Sequence, residues 1–103
     1  MGVTQYEATN LVVRSGDSDI IYPLKAGETV KIGDVLKLDT DKLVKAAAAD
    51  TPHSIATEDV TATADTQIRY FLNGTYNQSG IENWDDAFRE KLRAVGITIV
   101  KGV

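Results

Sequence analysis

The stretch GETVKIGDVLKLDTDKL, residues 27–43, constrains the fold most. Val35, Leu36 and Leu38, then Leu43 and Val44, flank the polar tripeptide Asp39-Thr40-Asp41. Short apolar runs on either side of a tight polar turn predict two paired strands. QIRYFLNGTYNQ, residues 67–78, repeats the pattern around Asn73-Gly74, a dipeptide suited to a type I′ hairpin because both residues tolerate positive φ. Further short strands are predicted at 20–22, stopped by Pro23, which cannot donate to a ladder, and at 55–57. Ala46 to Ala49 reads as a surface loop because Asp50, Thr51 and Pro52 end any helix at once, and EDVTATADT reads as a short strand and a turn.

One helix is predicted. Asn83 can cap it, with Asp86 three residues on, and Trp84, Ala87, Phe88, Lys91, Leu92 and Val95 fall at helical spacing. Gly96 ends it, and Ile97 to Val100 reads as a closing strand. At the other end, residues 2–14 show no clean period before Leu11-Val12-Val13, and the polar cluster SGDSD follows. Residues 1–18 are therefore expected to form an extended arm outside the core, and residues 19–103 a single β-rich domain. The expected class is α+β, mostly β, with a small mixed sandwich or barrel-like core and one C-terminal helix.

Composition removes several functions. At 103 residues the chain makes one domain, able to bury roughly two-thirds of its unfolded surface. It has no cysteine, so disulfides, thiolate metal sites and thiol nucleophiles are excluded. A net charge of −4, from 15 acids and 11 bases scattered singly, argues against a nucleic-acid partner. The apolar run at 94–100 is far short of the roughly 20 residues of a membrane span, so no membrane partner is expected. MGVTQYEATN lacks the basic and apolar blocks of a signal peptide, so the expectation is a soluble protein made without export.

The search for chemistry yields no catalytic, cofactor or metal residues. The sole histidine, His53, lies beside Ser54 in a Pro-flanked loop, where neighbours in sequence do not readily form a nucleophile–base pair; it reads as a solvated loop histidine. Asp17/Asp19, Asp39/Asp41 and Asp85/Asp86 lack the glycine and distant glutamate of a calcium loop and read as turn or helix-start acids. No Gly-Lys-Ser/Thr phosphate loop occurs. Lys42, after an acidic turn, resembles the modified lysine of a lipoyl domain, but LVKAAAADTPHSIATEDV supplies no second half-repeat. Trp84 remains as a possible interface anchor, tryptophan being enriched at binding hot spots.

From residue 25 onward the chain resembles the lambda-type bacteriophage head decoration, or capsid cement, proteins. The resemblance is carried in order by GDVLKLD…KLVKA, an alanine-rich loop into SIATEDV, then NGTYNQSGI, and last LRAVGITIV. It covers about three-quarters of the chain; the first 20 residues have no counterpart, and Pro52-His53-Ser54 stands where Gly or Ala is expected. The resemblance implies a non-enzymatic virion protein, made in the host cytoplasm, without cofactors. It would sit as a homotrimer on the capsid exterior and bind the major capsid protein. The arm, with Tyr6, Leu11, Val12 and Val13 as its apolar anchors, would then be the capsid-binding segment, able to add a strand to a sheet edge. A lipoyl-like carrier and a small tail-associated or adaptor β module are the readings from other classes.

Overall fold

A computed structural model describes residues 11–101. The fold is α+β and mostly β. Its strands are β1 (Val12–Ser15), β2 (Ser18–Asp19), β3 (Pro23–Leu24), β4 (Thr29–Val30), β5 (Val35–Asp39), β6 (Lys42–Lys45), β7 (Ser54–Ala56), β8 (Val60–Thr61), β9 (Thr66–Gln67), β10 (Tyr70–Phe71), β11 (Gly74–Asn77) and β12 (Ile97–Val100). A 3-10 turn spans Gln78–Gly80, and the one α-helix, α1, spans Phe88–Ala94.

The hairpin β5–β6 forms as expected. Leu38 faces Leu43 and Asp39 faces Lys42, and the two-residue turn Thr40-Asp41 has φ of 52° and 64°. Both values belong to a type I′ turn, whose twist matches that of the strands it joins. The hairpin is central to a seven-stranded sheet of order β2-β10-β7-β5-β6-β3-β9. Its two edges, β2 and β9, are bridged by a side chain: Gln67 Nε2 donates to the Ile20 carbonyl at 3.3 Å. A three-stranded sheet, β1-β11-β12, and a two-stranded one, β4-β8, complete the ladders.

Successive strand residues point to opposite faces, and here both faces are buried. Val35, Ile55 and Phe71 enter an outer core with Leu11, Tyr76, Phe88, Leu92, Ile97 and Ile99. Their neighbours Leu36, Ala56 and Tyr70 enter an inner core with Leu24, Val30, Leu43 and Ile68. The strands β5, β7 and β10 are thus a wall between two cores. Helix α1 and the three-stranded sheet close the outer one, and β3, β4 and β6 help enclose the inner one.

Four expectations need correction. The arm does not extend to residue 18: Leu11 is 1% exposed in the outer core, and β1 pairs antiparallel with β11. The domain therefore begins at or before Leu11. Residues 20–22 are a connector rather than a strand, and Pro23 opens β3, a position where its missing N–H is tolerated. Asn73-Gly74 makes no hairpin: β10 pairs with β2 and β7, while β11 pairs with β1 and β12, so the dipeptide crosses from one sheet to the other. Gly74 is required there, with φ of 120° and its missing Cβ directed to within 2.7 Å of the Arg14 carbonyl oxygen. Finally, α1 starts at Phe88, not after Asn83. Asp85 supplies the turn, its Oδ1 accepting from Ala87 N–H at 2.8 Å and its carbonyl from Phe88 N–H at 2.9 Å. Gly96, with φ of 95°, ends the helix as expected.

Candidate functional site

Tyr6 lies outside the described residues. The other three residues assigned to the arm separate. Leu11 is core, Val12 packs half-buried against the outer core, and Val13 is 49% exposed. Strand β1 is an edge strand whose last three residues, Val13, Arg14 and Ser15, are all exposed. Its pairing is interrupted by a register shift between Val12 and Arg14, a device that bends a strand and blunts an edge.

Trp84 is tied down on several sides. Its ring packs edge-on to Phe88 with centroids 6.1 Å apart, the Arg89 guanidinium lies 5.0 Å over it, and Nε1–H donates to Asp86 at 2.9 Å. Arg89 is in turn held by the Ile99 carbonyl at 2.7 Å and by the Gln78 side chain. This is the geometry of a cation–π lid over the outer core.

Lys42 begins β6 and ion-pairs with Asp65 at 2.8 Å, both side chains partly exposed. The hydrogen bond from Lys42 holds the Asp65 carboxyl below the usual range, and Lys25 does the same for Asp39 at 3.1 Å. The acid pairs singled out in the sequence divide: Asp19 and Asp85 accept local backbone N–H groups, from Ile20 at 2.7 Å and Ala87 at 2.8 Å, whereas Asp17 takes the distant Asn73 Nδ2 at 3.1 Å and Asp39 pairs with Lys25. Among the described residues no three or more His, Cys, Asp or Glu side chains cluster as metal ligands, and no helix is long and apolar enough to cross a membrane.

His53 is not solvated as expected. It is half-buried, its Nδ1 lies 3.0 Å from Ser54 Oγ, and its ring meets those of Tyr22 and Tyr70 edge-on at 5.6 and 5.4 Å. Burial pushes its pKa below the ordinary histidine value, with the Asp19 charge opposing weakly. Ser54 is fully buried and so cannot meet a substrate as a nucleophile.

His53 also lines an open, largely apolar hollow of 660 Å³. Leu38 of the hairpin, Pro52, Leu72 and Val95 at the helix end form its walls. That volume and lining suit a side chain or a short segment of a partner. Four separate parts of the chain build it, so no local pattern announces it; only the Pro52-His53 pair marks the place.

One further residue escaped the sequence reading, and another was misread. Asp34 is 2% exposed, with Oδ2 accepting the Lys31 N–H at 2.9 Å, and burial raises its pKa above the ordinary carboxylate value. Asn83 caps nothing: its Oδ1 accepts from Val35 N–H at 2.8 Å, and its Nδ2 donates to the carbonyls of Val35 at 2.9 Å and Ala46 at 3.2 Å. It stitches the hairpin to the segment before α1. No protein-family model matches the chain, and no curated protein matches it either, so its reading rests on these residues and their geometry.

Proposed function

We propose that this protein is a capsid decoration protein, binding the outside of an assembled phage head as a trimer and stabilising contacts between major capsid protein subunits. The order of the motif segments carries this reading. GDVLKLD…KLVKA forms β5–β6, SIATEDV spans β7 to the start of β8, NGTYNQSGI spans β11 and the 3-10 turn, and LRAVGITIV spans the end of α1 and β12. Each supplies residues to one or both cores, which fits motifs that specify a scaffold rather than an active centre. An acidic surface keeps such a protein soluble and away from the packaged genome. Lys42, which a carrier role needs free, is engaged by Asp65.

A ligand that binds only the assembled lattice stabilises it by RT ln(1 + [L]/Kd) per site, about 2.7 kcal/mol at a hundredfold excess. A trimer gains more because its second and third contacts are intramolecular. The test is co-sedimentation with purified heads, followed by the rupture temperature of bare and saturated heads. Decorated heads should rupture at higher temperature, and equal temperatures would overturn the reading. A shortened protein for this assay must keep Leu11, which the core needs, so residues 1–10 are the segment to delete, with Val13→Ser as the companion change on the exposed edge.

A further inference from the structure

The seam between β2 and β9, the two edges of the seven-stranded sheet, carries no ladder pairing among the described residues. Across it Gln67 of β9 donates to the Ile20 carbonyl just after β2, and beside it the Tyr22 N–H donates to the hydroxyl of Tyr70 on β10 at 3.2 Å. Ile20 and Ile21 on this connector are 39% and 67% exposed. His53 stands behind the seam. Its backbone N–H is anchored on the Leu36 carbonyl at 2.7 Å, and its ring touches Tyr22 on the connector and Tyr70 on the wall. It also lines the open depression, so protons reach it.

We propose that His53 is a proton-operated latch: neutral, it holds the 20–22 connector and the 51–53 loop together over Tyr70; protonated, it lets them part. The chemistry follows from Ser54. Against a neutral ring the buried hydroxyl can donate to Nδ1. Against an imidazolium both ring nitrogens are donors, so Ser54 Oγ must accept and its own proton must find another partner in a site with no exposure. The charged ring also leaves water for a half-buried setting between two tyrosine rings and apolar walls. Every charged or titratable group facing it can be named. Asp19 on β2 favours the charged form, Tyr22 and Tyr70 present their rings, burial holding the Tyr70 hydroxyl above its ordinary value, and the hairpin and helix end contribute Leu38 and Val95.

The sign is definite. A histidine whose folded pKa is depressed binds its proton less readily folded than open, so the latch is closed above 6.5, the ordinary histidine value. As pH falls from 6.5 towards the depressed value, the opening constant grows by up to about tenfold per unit. This inference concerns the fold and does not rest on the capsid reading.

Because His53 is the chain's one histidine, its ring proton resonances titrate alone. The experiment is an NMR titration of the whole protein, with amide hydrogen exchange at 20–22, 51–53 and in the β5–β6 hairpin, corrected for the intrinsic pH effect. The expected midpoint is below 6.5, with protection lost at the seam and kept in the hairpin, and His53→Gln should show a flat response. A midpoint at or above 6.5, or seam exchange that ignores pH or changes equally in His53→Gln, overturns the latch. Should His53→Gln not fold, Asp19→Asn keeps the test open: removing the one charge that favours imidazolium should lower the midpoint further, and an unmoved midpoint counts against the proposal.

Discussion

The inner and outer cores share the wall β5, β7 and β10, yet they are assembled from different spans of chain. The inner core takes its side chains from residues 24 to 70, and much of it hangs on the β5–β6 hairpin and its neighbours. The outer core needs Leu11 from one end of the described chain and Ile97 and Ile99 from the other, joined through β11. Closing it fixes more of the chain before any contact is gained, which is entropically the harder task. The lesson is that the two ends are structural members, and the residues that look like a detachable arm include one that the core cannot spare.

The sharpest way to break this comparison is Leu11→Ala. A fully buried leucine truncated in a packed core costs about 2–5 kcal/mol, whereas Val13→Ala, two residues away on the exposed edge, should stay within about 0.5 kcal/mol. Urea unfolding followed both by Trp84 fluorescence and by far-UV circular dichroism measures it. Since the wall is common to both cores, the two signals should move together. A Trp84 transition at lower urea would mean that the outer core opens by itself, and a negligible loss for Leu11→Ala would put residue 11 back in an arm.

Next in size is Gly74→Ala, which attacks the crossover that feeds the outer core. A non-glycine residue at φ of 120° costs about 1–3 kcal/mol, and the new Cβ also presses on backbone at Arg14 and Gly16. Were Asn73-Gly74 a simple type I′ hairpin, alanine would be tolerated better and β10 would pair with β11. A chemical-shift or cross-strand NOE map separates the two pictures.

These two turns also show where sequence reasoning works. Asp39-Thr40-Asp41 is read correctly because a two-residue turn and its flanking alternation are settled locally. Asn73-Gly74 has the better turn chemistry but is overridden, because Tyr70 and Phe71 bury opposite faces in different cores. The unbroken run Tyr70-Phe71-Leu72 was the available signal: a strand buried on both faces shows no alternation. Asn83 was misread for a related reason, since one amide serves a helix cap or a strand carbonyl equally well. The depression around His53 was invisible because its walls meet only in the folded chain. Trp84 was singled out only as an interface anchor; its engagement by Arg89 and Asp86 depends on the helix starting four residues later than expected.

A smaller effect sharpens the inner-core side. Thr40 is β-branched and sits at φ of 52°, a region that costs ordinary residues about 1–2 kcal/mol and asparagine less. Thr40→Asn should therefore raise stability by about 1 kcal/mol, read as a higher urea midpoint with unchanged slope. No gain would mean that the Thr40 side chain contributes something the backbone argument omits, such as its hydrogen bond to Asp39.

The smallest effect is a change of slope, and it probes the turn that leads into the shared wall. Burial raises the pKa of Asp34, with the Lys31 N–H and the Lys45 charge opposing. The folded form then keeps its proton at pH values where the unfolded chain, titrating near 3.8, has lost it. This contribution to stability is complete below 3.8 and declines as pH rises through the folded value. Asp39, Asp50 and Asp65 have lowered values and act in the opposite sense, losing their contribution as pH falls below 3.8. A stability curve of the native protein alone would mix the two. Asp34→Asn isolates one of them, because asparagine can still accept from Lys31 N–H while carrying no charge, and the other three carboxylates remain in both proteins. The difference between the two curves should favour Asp34→Asn increasingly from pH 3.8 upward and then level off above the folded value. A flat difference, or one that favours the native protein as pH rises, would show that the N–H donor and Lys45 outweigh burial at this site.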